Sequence, residues 1–355
     1  MTTTAAPTTS RAAVPFAATV PFRARGPLSE RVIAALAEEG PCRDVVDVAV
    51  HAVGSSTDIL QDDDVQLALF ALYASAYGSI EAFDAAREWD PDLLRARAVL
   101  EGALEERLRA VVPQPERPAP RRDDVADALF ALTAEDGGPS LARFLAKKAT
   151  QEQAREFLVQ RSIYTLREAD PHSWAIPRLS GSAKAALVEI QSDEYGGGRP
   201  DRVHATLFAR AMRGAGLSDA YGAYVDRVPA ITLASLNTMS LFGLNRRLVG
   251  AVVGHLAAFE MTSSIPNRFY AEGLRRVGFG DDVAEYFDEH VEADAVHEQI
   301  AGRDLAGSLA EERPELLDDI LFGASACLVV DGLAGAAMLN AWRDGRTSLR
   351  GQEAA

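Results

Sequence analysis

The chain has 355 residues, 48% of them hydrophobic and 25% charged, a composition that suits a globular protein with a large core and room for two or three domains. Thirty-six Lys and Arg against 52 Asp and Glu give a net charge of −16, which repels phosphate backbones; no local basic patch offsets it, so nucleic acid is not expected as a partner. Cys42 and Cys327 stand far apart in no metal-like spacing, which fits a reduced cytoplasm and two buried small side chains rather than a disulfide scaffold.

Residues 1–25 are rich in Thr, Ala and Pro and lack the charged segment and apolar run of a secretory signal, so they read as a disordered leader. A small helical domain is expected over 26–112. Val32, Ile33 and Leu36 open it, Val65–Ala76 supplies an apolar helix, and Leu93, Ala96, Leu100, Leu104 and Leu108 recur at three- and four-residue steps in a last helix over 92–112. Four prolines between 113 and 120 rule out a helix interior and place a linker over 113–123. Further helical patterns follow at 124–133, 140–168, 182–195, up to Met212, 219–225, 231–258, 260–277, 283–309 and 314–343, within a domain of 124–345 that leaves a tail at 346–355. Strand signals are almost absent, so the fold class is all-α. The apolar runs Leu248–Phe259 and Phe322–Trp342 are interrupted by His255 and by Asp331 and Asn340. They read as buried helices rather than spans of about 20 lipid-facing residues, and neither a membrane partner nor a location outside the cytoplasm is expected.

Three segments carry candidate chemistry. His290, Asp294 and His297 fall within about 60° of one another on a helix, so the three side chains share a stripe, as metal ligands must. A random chain of this composition holds about 0.015 such patterns, although the seven acids between Asp281 and Asp294 also permit a merely solvated face. Glu194, Asp201 and His204 form a second set. Asp201 and His204 make an acid-x-x-His unit of the kind that carboxylate-bridged diiron bundles use, although the three glycines at 196–198 and Pro200 also read as a simple turn. Glu260 ends an apolar run in which a carboxylate is costly to bury without a cation. His255 reads as a satisfied core histidine and stays outside the set. Imidazoles with carboxylates and no thiolate favour iron or manganese over structural zinc. No phosphate-binding loop, dinucleotide fingerprint, zinc-protease helix or serine elbow is present in the sequence.

In the segment Glu189–Pro200, in His204 ahead of Leu207 and Phe208, in Glu260, and in the stripe His290, Asp294 and His297, the region from Arg143 to Trp342 resembles the haem-oxygenase-like diiron oxidases and oxygenases, the iron-containing redox enzymes. That resemblance implies a seven-helix haem-oxygenase-like bundle that binds two Fe(II) ions and no haem, takes O2 as cosubstrate and draws on an external electron donor. It makes His204, Glu260, His290, Asp294 and His297 iron ligands. The spacing is most similar to the N-oxygenating branch, in which Asp201 would be the shared core carboxylate and Glu194 a supplementary one, while Glu168 reads as a helix-end acid exposed to water. A cupin domain fused to one member of that branch is not expected here. The same resemblance implies a small-molecule substrate, an amine or amino acid, and a homodimer paired through the N-terminal helices. The nearest alternative the resemblance implies is a diiron oxidase that desaturates, cleaves or decarboxylates an amino or fatty acid; the reading from another class is a non-catalytic helical interaction protein whose histidines and acids bind no iron.

Overall fold

The structure, a computed structural model, describes residues 19–38, 40, 42–134 and 140–351, with the side chains of 292–295 excepted. Four helices come first: α1 (Pro27–Ala37), α2 (Val45–Ser55), α3 (Asp63–Tyr77) and α4 (Pro91–Val111). Asp62 starts α3 by accepting from the backbone N–H groups of Asp64 and Val65. Asp90 does the same for α4, where Pro91 occupies the first turn that needs no N–H donor. The proline-rich stretch 112–121 is extended, as its composition requires. Then follow α5 (Arg122–Thr133), α6 (Leu141–Lys147), α7 (Gln151–Thr165), the single turn α8 (Asp170–Ser173), α9 (Gly181–Glu194), α10 (His204–Gly214), α11 (Ala230–Leu244), α12 (Val249–Met261), α13 (Ser264–Arg276), α14 (Asp281–Gln299), α15 (Ser308–Glu312) and α16 (Leu317–Arg343). A π-helical stretch, Ile300–Gly307, joins α14 to α15. No strand occurs among the described residues.

Several expected helices are split by local capping. The helix expected over 140–168 breaks before Gln151, where Thr150 and Gln153 cap each other's backbone and start α7 afresh. The one expected over 231–258 breaks at Asn245, whose extended backbone separates α11 from α12. Glu260 therefore lies in the last turn of α12 rather than opening the next helix, and 219–225 forms turns. The leader up to residue 18, and the last four residues of the tail, lie outside the described residues. Residues 19–25, assigned to the leader, are packed: Phe22 meets Phe70 and Phe83 edge-on, and the Arg25 guanidinium donates to the carbonyls of Val225 and Val228. The start of the tail is also tied down, with Thr347 and Ser348 donating to Glu156.

The N-terminal helices do not stand apart from the rest. Helix α3 lies on α11, where Asn237 donates to Gln66 and Tyr77 to Ser240, and one apolar core runs from Phe22 to Val330. The tightest seam is between α12 and α16. A Cβ on Gly254 would stand 1.8 Å from the Ile320 carbonyl oxygen, and one on Gly323 would stand 2.0 Å from that of Ala251. Glycine at both positions lets two backbones meet where no side chain fits. By length and composition α16 with its preceding turn, Pro314–Arg343, could cross a membrane, but half of its apolar window is buried within the protein; α12 and α13 pass only together and are bent by 49°.

Replacing Gly254 with Ala should force the seam apart and cost at least about 1–3 kcal/mol, read as a lower urea midpoint. Gly102, with open space around its Cβ position inside α4, is the control: Gly102→Ala should be neutral or stabilise by about 1 kcal/mol.

Candidate metal centre

Five segments converge on one buried pocket. Glu194 is the last residue of α9, and His204 is the first of α10. The turn between them reverses the chain through Gly196, Gly197 and Gly198, all at positive φ; a Cβ on Gly196 would stand 2.7 Å from the Arg202 and Val203 backbone. This reversal places the end of one helix and the start of the next against the same space, and His204 Nδ1 comes to 3.0 Å from Glu194 Oε2. Glu260 enters from the end of α12. His290 and His297 enter from α14, where His297 Nδ1 lies 3.5 Å from Glu260 Oε2. Glu168 arrives from the turn after α7 and lies 3.7 Å from His290 Nε2. All six side chains are buried.

Donor atoms of Glu168, Glu194, His204 and His290 lie within 4.8 Å of one another, and so do those of Glu194, Glu260 and His297. Glu194 belongs to both groups. The ring Nδ1 atoms of His204 and His297 are buried beside carboxylates without an aligned hydrogen bond. Such nitrogens are costly unless something else takes their lone pairs, and a cation does. The histidines are also oriented from behind. His290 Nδ1 lies 2.8 Å from the Tyr286 carbonyl, which leaves Nε2 facing Glu168, and His297 Nε2 lies 3.1 Å from Asp193 Oδ2, which leaves Nδ1 facing Glu260. Tyr286 donates to both oxygens of Glu168, at 2.7 and 2.8 Å. This is the outer support that metal-binding imidazoles and carboxylates ordinarily have.

Charge balance in the metal-free protein falls to the histidines. Burial pushes the Glu194 carboxyl up, but His204, backed by His290 and His297, outweighs it and draws Glu194 below the usual carboxylate range. Burial opposes a charge on His204, yet Glu194 raises its pKa. Burial likewise opposes a charge on His297, and Glu260 and Asp193 raise it to about 9. In Glu260 burial dominates and the pKa goes up.

Of the residues singled out in the sequence, Glu194, His204, Glu260, His290 and His297 are brought together. Asp201 is not: it sits exposed in a 3-10 turn between the glycines and His204, because the turn that aims Glu194 and His204 inward points this loop at solvent. Among the described residues the carboxylate common to both donor groups is Glu194, and Asp201 is in neither. The side chain of Asp294 lies outside the described residues. Glu168, read as an exposed helix-end acid, is 5% exposed and stands in the first group. Its turn is formed by Ala169 at φ 72, the one non-glycine at positive φ among the described residues. An alanine there costs about 1–2 kcal/mol, and nothing in the sequence marks it. His255 stays outside both groups as expected, paired with His172 at 3.2 Å and stacked on Phe259.

A narrow pocket lined by Tyr164, Glu168, Glu194, Glu260 and His290 adjoins a cavity of about 520 Å³; Tyr164, Phe259 and Ser263 line both. The larger cavity lies between α7, α11, α13 and α16.

Two tests follow from this arrangement. Glu194→Ala should reduce bound iron at both positions and Glu168→Ala at one, while Asp201→Ala retains the wild-type content; elemental analysis of proteins with matching circular dichroism decides it. The second test is pH. Below about 9 His297 holds a proton that a metal must displace, so Fe(II) affinity should rise as pH increases from 6.5 toward 9, with proton release seen as buffer-dependent heat. Uptake that ignores pH would remove His297 from the site.

Comparisons with known proteins agree with this chemistry. The family described as iron-containing redox enzyme matches residues 155–332, half of the chain. Nitrosourea synthase of Streptomyces achromogenes subsp. streptozoticus is 30% identical over 190 residues, which cover 53% of this chain and 40% of that protein. The match thus spans well under half the length of this curated relative. Among solved structures, a CADD-like protein of unknown function from Nostoc punctiforme PCC 73102 aligns over 68% of this chain and 97% of its own, at a TM-score of 0.44 and 19% identity. The all-α, haem-oxygenase-like fold class expected from the sequence stands. With its helices, its buried histidines and carboxylates and the family match on one region, this chain belongs to the iron-containing redox enzymes.

Proposed function

We propose that the protein is an O2-dependent non-haem diiron oxygenase that transfers oxygen to the nitrogen of an amine or amino acid. The observation that carries this reading is the sharing of Glu194 between two groups of buried donors, a pattern suited to two cations held side by side. Glu168, Glu194, His204 and His290 would hold one ion, and Glu194, Glu260 and His297 the other, with Asp294 added from the same stripe of α14. Imidazole and carboxylate donors without thiolate suit Fe(II). When bound, two ferrous ions supply electrons for O2 activation, and an external donor replaces them.

The chain's own groups do the rest. Tyr286 keeps both Glu168 oxygens in place, and the Tyr286 carbonyl and Asp193 fix which nitrogen of His290 and His297 faces inward. Tyr164 and Phe259 form an aromatic wall between the site and the cavity, their rings edge-on at 5.5 Å. Those two apolar rings and Ser263 are the residues that face both the donor pocket and the cavity. The cavity falls in the size range of small-molecule sites, about 300–1,000 Å³. The relative named nitrosourea synthase supports nitrogen as the atom oxidised.

Anaerobic titration of the whole protein with Fe(II) should saturate near two ions per chain. Exposure to O2 should then consume it, and amine substrates screened by mass should gain one or two oxygens. A chain that takes up no iron would sink the reading. Loss of carbon dioxide or of two hydrogens from the substrate would place the protein among oxidases of the family instead.

A further inference from the structure

The cavity beside the metal centre is lined by three charged residues, the exposed Arg343 and the partly buried Arg161 and Asp331, and the last two form no ion pair with each other. Arg161, on α7, lines it; its Nε is buried without an acceptor, and among the described residues the guanidinium makes no hydrogen bond or ion pair. Asp331, on α16, lines it from another side. One of its oxygens accepts from Ser235 at 2.6 Å, and the other meets only the Cys327 thiol, at 3.9 Å. Each lies within the electrostatic reach of the other, with no ion pair between them. A third polar group, Asn267, is 2% exposed and leaves its Oδ1 without a donor at the same cavity. Arg161 is partly buried, and Glu168 and Asp331 favour its charge from a distance, but its buried Nε has no acceptor; a buried donor left in that state points to a ligand that completes it. A guanidinium is best completed by a carboxylate, which it binds through two parallel hydrogen bonds. A carboxylate and an amide oxygen are completed by an ammonium.

We infer that Arg161 and Asp331 hold the head group of an α-amino-acid substrate, its carboxylate on Arg161 and its ammonium on Asp331, with Asn267 as a further acceptor. The inference rests on the reading of this cavity as the substrate chamber of the metal centre. Arg161 precedes Tyr164 by about one helical turn on α7, and Glu168 follows in the turn after that helix ends at Thr165. A head group anchored there presents its side chain, not its α-nitrogen, to the aromatic wall at Tyr164 and Phe259. Arg161 and Asp331 are thus positioning residues that select for zwitterions and set which atom reaches the metals.

The test uses the full-length, metal-free protein, so that binding is read without turnover. Each proteinogenic L-amino acid is titrated calorimetrically, followed by the amine that lacks the carboxylate of any binder. At least one amino acid should bind saturably. Arg161→Met should weaken it on the order of 100-fold, Asp331→Asn should weaken it by a similar factor, and Arg161→Lys should keep part of the affinity. The decarboxylated amine should bind the wild type no better than its parent binds Arg161→Met. Ligand-free Arg161→Met should melt no lower than the wild type, since among the described residues the guanidinium supports no other residue by a hydrogen bond or ion pair. No binding by any amino acid, unchanged affinity in Arg161→Met, or a lowered Tm in that variant would each overturn the inference. Failure of the wild type to take up iron would instead remove the diiron reading and leave a binding result standing.

Discussion

Three carboxylates and three imidazoles share a pocket too small and too dry to leave their charges to water. Burial of a single uncompensated carboxylate costs several kcal/mol, and here Glu168, Glu194 and Glu260 are all nearly inaccessible. Without metal, protons on His204 and His297 provide part of the compensation, which is why their pKa values lie above the ordinary imidazole value despite burial. Two divalent cations would provide it more fully and would also occupy the ring nitrogens that lack an aligned partner. The demand falls hardest on Glu194, which is common to both groups and so neighbours every other donor. Much of the local architecture follows from keeping that residue in place: the end of α9, the glycine turn that brings α10 back, and the α14 stripe that supplies the facing histidines.

A pocket of this kind needs its donors held before a metal arrives, and the holding groups are unequal in kind. Tyr286 and Asp193 act by hydrogen bonds from side chains that are not themselves in the donor groups. Ala169 acts by strain. Its left-handed backbone turns the chain after α7 so that Glu168 faces inward and α8 can begin, and the Ala169 N–H is directed at the Tyr164 hydroxyl at 3.4 Å. Evidently the packing around this turn over-determines it, since a conformation unfavourable for alanine persists next to the residue whose placement depends on it.

Some of this was legible in the sequence because the relevant signal is local. Period and capping residues give the helices, proline gives the break between α4 and α5, and the spacing of His290, Asp294 and His297 gives a stripe on one helix. Helix divisions were less legible where a reciprocal cap, as at Thr150 and Gln153, or a single extended residue, as at Asn245, interrupts an apolar run that looks continuous. The absence of Asp201 from the donor groups and the presence of Glu168 have the same origin. Asp201 has the right spacing to His204 for a regular helix, but Val203, at ψ 127, separates its 3-10 turn from α10, and spacing no longer reports facing. Glu168 has no neighbour in sequence that identifies it; its role depends on a contact with Tyr286, 118 residues away. Arg161 and Asp331 are invisible for a related reason, since each is an ordinary charged residue on a helix until the two helices meet across one cavity.

The position of that cavity relative to the metal centre is set by backbone contact more than by polar bonds. Helix α12 carries Glu260, one residue before its end, into the donor pocket and Phe259 into the wall, while α16 carries Asp331 into the chamber. The seam between them is made by Gly254 against Ile320 and by Gly323 against Ala251, at separations that admit no side chain. Gly254 is under two turns from Glu260, and Gly323 just over two turns from Asp331, so a shift of one helix against the other would change the distance between donor pocket and head-group site. Side chains can adapt by changing rotamer, whereas two backbones in contact cannot, and interiors packed this closely transmit displacement rather than absorb it. The glycine seam therefore acts on the cavity as the glycine turn at 196–198 acts on the donor pocket: each holds groups from two segments at one separation, so that the cavity and the donor pocket stay in register.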